Sequence, residues 1–382
     1  LDSSAASDVY KRQPLNFWPT GGFTESWFWS IQFPVETEPF SSKDPMKAYQ
    51  IRDEWSLENL QLVDLPEPVP GPREVLVEIK AASLNYRDLF VVRRGYGSKT
   101  GTLPLIPVSD GVGIVKATGS GVKRVSEGDR VCPLFMQNWI SGPPNSERLT
   151  HTLGGPIDGT MAEIRCFPEE GVSRIPQELS DLEASTLPCA ALTAWSALVE
   201  EGRLKSGDSV LIQGTGGVSL FALQFAKMVG ARAMVISGSE EKMQRARDLG
   251  ADEVLNYREN PEWGKQVREF SGGEGIDHIV EVGGPETLPQ SLRAIRPGGT
   301  ISMIGVLSGP EMKAQLGLIV TRQVRLQGIT VGHRDGFEAM CRGIQASGIK
   351  PVVDRVLPFD KLLEAMELLP QGRHFGKICL EF

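Results

Sequence analysis

Cysteine is scarce in this chain and widely scattered. The five residues, Cys132, Cys166, Cys189, Cys341 and Cys379, form no CxxC pair. Their odd number and wide spacing exclude a disulfide framework. They read instead as reduced thiols in a cytoplasm, each most simply a small buried hydrophobe. Long apolar runs are also lacking, since no stretch approaches the roughly 20 apolar residues that span a bilayer. Nor is there an excess of positive charge. The net charge is −8, and no basic stripe interrupts it, which argues against nucleic acid or an anionic membrane as a partner. What is present is ordinary for a globular chain: 40% hydrophobic and 23% charged residues. A length of 382 residues suits two domains rather than one core.

The first 45 residues stand apart. The chain opens on Leu1, and Ser3 to Gln13 read SSAASDVYKRQ. That run matches the in-frame translation of a transposase-type adapter used to prepare sequencing libraries, so residues 1–13 are expected to be read-through. Residues 14–45 hold Phe17, Trp18, Phe23, Trp27, Phe28, Trp29, Phe33 and Phe40 without a period of 2.0 or 3.6. They show no basic segment followed by an apolar one, so no secretory pattern. They are expected to be translated upstream DNA or a disordered extension. Met46 begins MKAYQI, which reads as a natural start and a first strand.

From Met46 to about Phe167, short strand-like runs alternate with Gly and Pro: LQLVDLPEPVP, EVLVEIKAASL, GVGIVKATG, DRVCPLF and MAEIRCF. This half reads as a β barrel or sandwich, with a long loop over 138–155. From about Leu187 the rhythm changes. VLIQG, AMVISG, EVLNY, HIVEVGG and TISMIGV are strands separated by helical segments such as LFALQFAKMVGA and EEKMQRARDLGA. Strands alternating with helices predict βαβ units and a parallel sheet, hence an α/β fold.

The strongest site signal is Gly214-Thr215-Gly216-Gly217-Val218-Ser219, placed between the strand VLIQ and the helix LFALQFAKMVG. Gly214 permits a tight turn and Gly216 lets the backbone approach a pyrophosphate. The helix N-terminus then offers free N–H groups to that anion. The fingerprint's third glycine is Ser219, small enough for strand–helix packing. About 20 residues on, a chain that binds NAD carries Asp or Glu for the ribose 2′-hydroxyl. Here the strand ends in Ser237-Gly238-Ser239, with Lys242 one turn later and Tyr257 after the third strand. A missing acid, hydroxyls and a cation predict NADPH. Glu240 and Glu241 beside them leave Lys242 and Arg245 open to a plain solvated-face reading.

Several runs occur together in one order: Leu103–Gly113 (LPLIPVSDGVG), Glu127–Val131 (EGDRV), Leu192–Leu198 (LTAWSAL), the glycine turn, Leu249–Asp252 (LGAD) and Val254–Tyr257 (VLNY). In this the chain resembles the medium-chain dehydrogenase/reductase superfamily, and within it the zinc-free, quinone-oxidoreductase-like branch. The resemblance implies a GroES-like catalytic domain from residues 46–175 and 336–382. It also implies a Rossmann domain over 176–335, with the cofactor between the two. Zinc-dependent relatives place Cys, His and Cys on the metal; the matching positions here are Asn85, Ser109 and Cys189. Two of three ligands are gone, and Asp110 with Cys189 does not make a site. The loop matching the structural-zinc lobe has no cysteine, and His151 within it reads as solvated. No zinc is predicted.

Without a metal, conjugated acceptors are favoured, because hydride addition spreads charge onto an oxygen that hydrogen-bond donors can meet. The resemblance places Asn85 and Asp88 of the Asn85-Tyr86-Arg87-Asp88 run by the nicotinamide and makes Tyr96 the candidate proton donor. Thr193, Gly283 and Val306 fall among the cofactor contacts it implies. His333 and Arg334 follow a strand end that faces the cleft. The leading reading is an NADPH-dependent reductase of quinones or α,β-unsaturated carbonyls. A zinc-free alcohol or aldehyde dehydrogenase is the alternative, and a non-catalytic NADPH-binding protein the third. A homodimer or homotetramer is implied, joined through a Rossmann edge strand expected near TISMIGV.

Overall fold

The computed structural model describes residues 45–309, 311 and 316–382. The expectations for residues 1–44 lie outside the described residues. The strands, in chain order, begin with β1 (Met46–Ile51), β2 (Leu60–Leu65), β3 (Glu74–Ser83), β4 (Asp110–Thr118), β5 (Arg130–Pro133), β6 (Ile164–Pro168) and β7 (Val172–Arg174). There follow β8 (Ser209–Gln213), β9 (Arg232–Ser237), β10 (Glu253–Asn256), β11 (Ile276–Glu281), β12 (Ile295–Met303) and β13 (Arg325–Gly328). The last are β14 (Val353–Pro358) and β15 (Lys377–Glu381).

β1 and β2 form a small antiparallel pair. Seven strands make a mixed sheet in the order β14-β15-β3-β4-β5-β7, with β6 also paired to β3. The tail of the chain thus returns to the sheet built by its first part: β15 lies antiparallel to β3, with Ser83 opposite Cys379. The other sheet has six strands in the order β10-β9-β8-β11-β12-β13, and its pairs are parallel. That is the doubly wound arrangement of dinucleotide-binding folds, and its strand order reverses between β8 and β11.

The sequence explains the second sheet well. β8 reads SVLIQ and is buried along its whole length, as a strand covered by helices on both faces must be. Helix Gly217–Val229 buries Leu220, Phe221, Leu223 and Phe225 and ends at Gly230 in the left-handed region, where a glycine costs no Cβ clash. Phe221, Phe225, Leu187 and Leu192 share one apolar cluster with Leu134 and Phe135 of the first half. The segment between the halves is unusual. Leu187–Ala191 and Ser196–Glu200 are wound as π-helix on either side of the α-helical turn Leu192–Trp195. Such wide turns cluster at functional sites; the first carries Cys189, and Thr193 lies in the α-helical turn between them.

One expectation is corrected. TISMIGV is not an edge strand: β12 lies between β11 and β13. The strand at that end of the sheet is β13, four residues long.

Candidate functional site

The glycine turn leaves β8 with Gly214 at φ +72°, a backbone that L side chains rarely adopt. The Gly214 N–H donates to Ile236 O at 2.7 Å. Gly216 caps the helix Gly217–Val229. A Cβ at Gly216 would meet nothing within 4 Å, so the space above the helix N-terminus is open for an anion. Thr215 and Val218 flank that space, the first buried and the second partly buried against the core. Ser219, at the fingerprint's third glycine, donates from Oγ to Gln213 O at 2.7 Å. The hydroxyl therefore ties helix to strand as well as fitting between them.

Ser237 is buried at the tip of β9, and Tyr257 N–H donates to its carbonyl at 3.2 Å. A Cβ on Gly238 would stand 2.6 Å from Arg258 Nε and 3.1 Å from the Tyr257 hydroxyl. Both side chains thus lie over the glycine of the Ser237-Gly238-Ser239 turn. Lys242 is elsewhere engaged: its ammonium donates to Gly372 O at 2.6 Å and His374 O at 2.8 Å. Arg245 pairs with Asp354 at 3.5 Å and lies over the Phe375 ring. The cation at the turn is Arg258, which the sequence reading missed. It lay one residue past the tyrosine, and loop spacing gave no sign of which side chain would fold back.

Of the other predicted contact residues, Thr193 is buried between the π-turns, and Val306 is half exposed after β12. Gly283 N–H is shared by Gln213 Oε1 and Glu281 Oε1, at 3.2 and 3.0 Å. Glu281 was not anticipated. Fully buried at the end of β11, its carboxyl also accepts from Gly284 N–H at 3.0 Å and Ser291 Oγ at 2.6 Å. His333 accepts from Gly336 N–H at 2.8 Å as the helix cap, and Arg334 pairs with Glu170 and Glu338. Both therefore serve the fold.

The remaining candidate residues converge where β3, β4 and β15 meet. Asn85 and Asp88 form a reciprocal cap on helix Tyr86–Val92, with Asn85 N–H donating to Asp88 Oδ2 at 2.8 Å. Burial pushes the Asp88 carboxyl up to about 6, against the pull of Arg87. Arg87 anchors the run by donating to Leu153 O at 2.9 Å and Gly155 O at 3.0 Å. Tyr96 is 47% exposed and packs on Phe90. Partial burial raises its phenol pKa, so it stays protonated and able to donate. Lys377, buried at the start of β15, donates to Leu84 O and Asn85 Oδ1, each at 2.6 Å. It lies 3.8 Å from Asp110 Oδ2.

Zinc does not fit this set. Asn85 Nδ2 faces Ser109 Oγ at 3.4 Å, Ser109 Oγ donates to Asp110 Oδ1 at 3.1 Å, and Cys189 N–H donates to Asp110 Oδ2 at 3.3 Å. A neutral amide and a hydroxyl stand where an imidazole and a thiolate would be needed. Burial beside Asp110 pushes the Cys189 thiol far up, away from the ligating thiolate. The one carboxylate already faces an ammonium. Among the described residues no three His, Cys, Asp or Glu side chains come together as a metal site.

Known proteins share this architecture. Residues 71–177 match the alcohol dehydrogenase GroES-like domain, and residues 217–346 match the zinc-binding dehydrogenase family. A zinc-type alcohol dehydrogenase-like protein of Schizosaccharomyces pombe is 42% identical over 317 residues, covering 81% of this chain and 91% of that protein. The quinone oxidoreductase of Homo sapiens is 27% identical over 86% of this chain and 94% of its own length. A crystal structure from Sinorhizobium meliloti, provisionally called an alcohol dehydrogenase, superposes with a TM-score of 0.85 at 41% identity, over 90% of this chain and all of that one. The chain belongs to the medium-chain dehydrogenase/reductase superfamily. It is accordingly an oxidoreductase that depends on a pyridine nucleotide.

Proposed function

We propose that the protein is an NADPH-dependent reductase of quinones or α,β-unsaturated carbonyls that works without zinc. The observation that carries this reading is the side-chain set around Asn85. Where a Lewis acid would polarise a simple carbonyl, the chain places hydrogen-bond donors: the Asn85 amide and the half-exposed Tyr96 phenol. Donors of that kind suffice when charge delocalises through a conjugated acceptor. NADPH bound at the glycine turn supplies the hydride, and a proton completes the two-electron reduction to NADP⁺ and the reduced acceptor. Gly214, Thr215, Gly216, Gly217 and Val218 cradle the pyrophosphate. Ser237, Tyr257 and Arg258 receive the 2′-phosphate, with no acid at the end of β9 to repel it. Thr193, Gly283 and Val306 border the nicotinamide. Asn85 orients the acceptor oxygen and Tyr96 delivers the proton. Asp88 holds Asn85 through the helix cap.

Alcohol dehydrogenase names among the relatives favour a second reading, metal-free alcohol or aldehyde chemistry on the same cofactor. The five free thiols suit a cytoplasmic enzyme, and β13 is the strand through which two copies would extend their sheets. Among the described residues no helix is long and apolar enough to cross a membrane. The test is NADPH consumption by the full chain against quinones, enones, aldehydes and alcohols, with NADH and a chelator in parallel. Chelator-insensitive turnover of a quinone or enone supports the reductase. Turnover confined to alcohols or aldehydes sinks it.

A further inference from the structure

We infer that Lys377 is a positioning residue for this reduction: its ammonium is the fixed cation of the pocket and holds the Asn85 amide with its NH2 toward the acceptor. The inference rests on the reductase reading for its chemistry, but its geometry stands alone.

Lys377 follows Gly376, whose N–H donates to Thr215 O at 3.0 Å and which pairs with Gly216 across an isolated bridge. Its stem crosses the cofactor turn so closely that a Cβ on Gly217 would stand 2.6 Å from Lys377 Cδ. The side chain is 3% exposed, and Asp110 beside it is fully buried. A buried ammonium without partners would be prohibitively costly. Here it has the Leu84 carbonyl, the Asn85 amide oxygen and the Asp110 carboxylate. These partners surround the very positions, 85, 109 and 189, that bear metal ligands in zinc-dependent relatives.

An ammonium carries donors only, so it fixes which end of the amide faces it. Oδ1 of Asn85 must point to Nζ, because the flipped amide would set N–H against N–H⁺. The NH2 group is thereby aimed the other way, toward Ser109 Oγ. A cation on the oxygen end also polarises the amide and strengthens its N–H as a donor. Charge developing on an acceptor oxygen would meet that donor already oriented, at no reorganisation cost. The cofactor turn, Lys377 and Asn85 form one continuous physical link.

Three full-length variants and one diffraction measurement test this. Lys377→Met keeps the stem and removes the cation; kcat for quinone reduction should fall at least about tenfold, with acceptor KM and NADPH Kd, read by fluorescence, within about twofold. Lys377→Arg should recover part of the loss. Asn85→Asp can still accept from Lys377 but has no N–H to give; it should keep its melting temperature and NADPH affinity and lose kcat. Crystals grown with zinc chloride should show no zinc-edge anomalous peak between Asn85 and Cys189. An unchanged kcat in Lys377→Met, a loss confined to NADPH affinity, or a full-occupancy zinc peak in the pocket would each overturn the inference. If the wild type reduces no acceptor, the reductase reading falls and takes the kinetic role of Lys377 with it; an active wild type with an unchanged kcat in Lys377→Met overturns the inference alone.

Discussion

Gln213 Nε2 lies 2.6 Å from Glu281 Oε2, joining the ends of β8 and β11 at the point where the strand order of the parallel sheet reverses. Those two strand ends carry the glycine turn and the Gly283–Gly284 turn, so one buried contact sets the spacing of these two turns. Glu281 satisfies Ser291, Gly283 and Gly284 as well. Replacing it leaves several buried donors without an acceptor. Glu281→Leu should cost about 3 kcal/mol or more, and Glu281→Gln distinctly less. Chemical denaturation of the two variants checks the order; equal losses would show that the donors find other partners.

Gly216 makes a sharper probe of the cofactor turn than Gly214. Gly214 is held at φ +72°, so any side chain there strains the fold. Gly216 has ordinary backbone, and the space beside it is open. Gly216→Ala should therefore leave the melting temperature of the free protein unchanged and raise the NADPH Kd at least about tenfold, by filling the pyrophosphate seat. Unaltered affinity in Gly216→Ala would place the phosphates elsewhere.

Arg258 and Lys242 make opposite predictions. Arg258 lies over Gly238, whereas Lys242 holds two carbonyls of the 372–374 segment. Arg258→Ala should weaken NADPH about tenfold or more and leave NADH unaffected, as loss of a charge-assisted contact to the 2′-phosphate requires. Lys242→Ala should weaken both cofactors equally or neither, since its bonds serve the fold. Titrating each variant with both cofactors separates the roles, and a selective NADPH loss in Lys242→Ala alone would reverse them.

Much of the fold could be read from the chain. The period of β8 to β12, the glycine turn after β8 and the return of the tail to the first sheet are local patterns or follow from the family resemblance. The residues that were missed belong to contacts no local pattern records. Lys377 meets Asn85 across 292 positions of chain, and Glu281 gathers donors from β8 and from the helix after β11. The misplaced edge has a related cause: TISMIGV reads as a strand, and only pairing shows that β13 lies outside it.

Asp88 gives a pH signature. Its folded pKa of about 6 lies above the unfolded value near 4. Between those values the native state holds more protons, so this group's contribution to stability falls as pH rises from about 4 to 6 and its penalty is complete above 6. Asp88→Asn, which can still accept from Asn85 N–H, removes the penalty. Its melting temperature relative to the wild type should be higher at pH 8 than at pH 4. The same difference at both pH values would contradict the raised pKa.

The most direct measurement is the ratio of kcat/KM for NADPH to that for NADH in quinone reduction by the full chain, taken in the presence of a zinc chelator. The ratio should be well above one, unchanged by the chelator, and lowered in Arg258→Ala. A ratio at or below one, or activity that disappears with the chelator and returns with zinc, would contradict the proposed function.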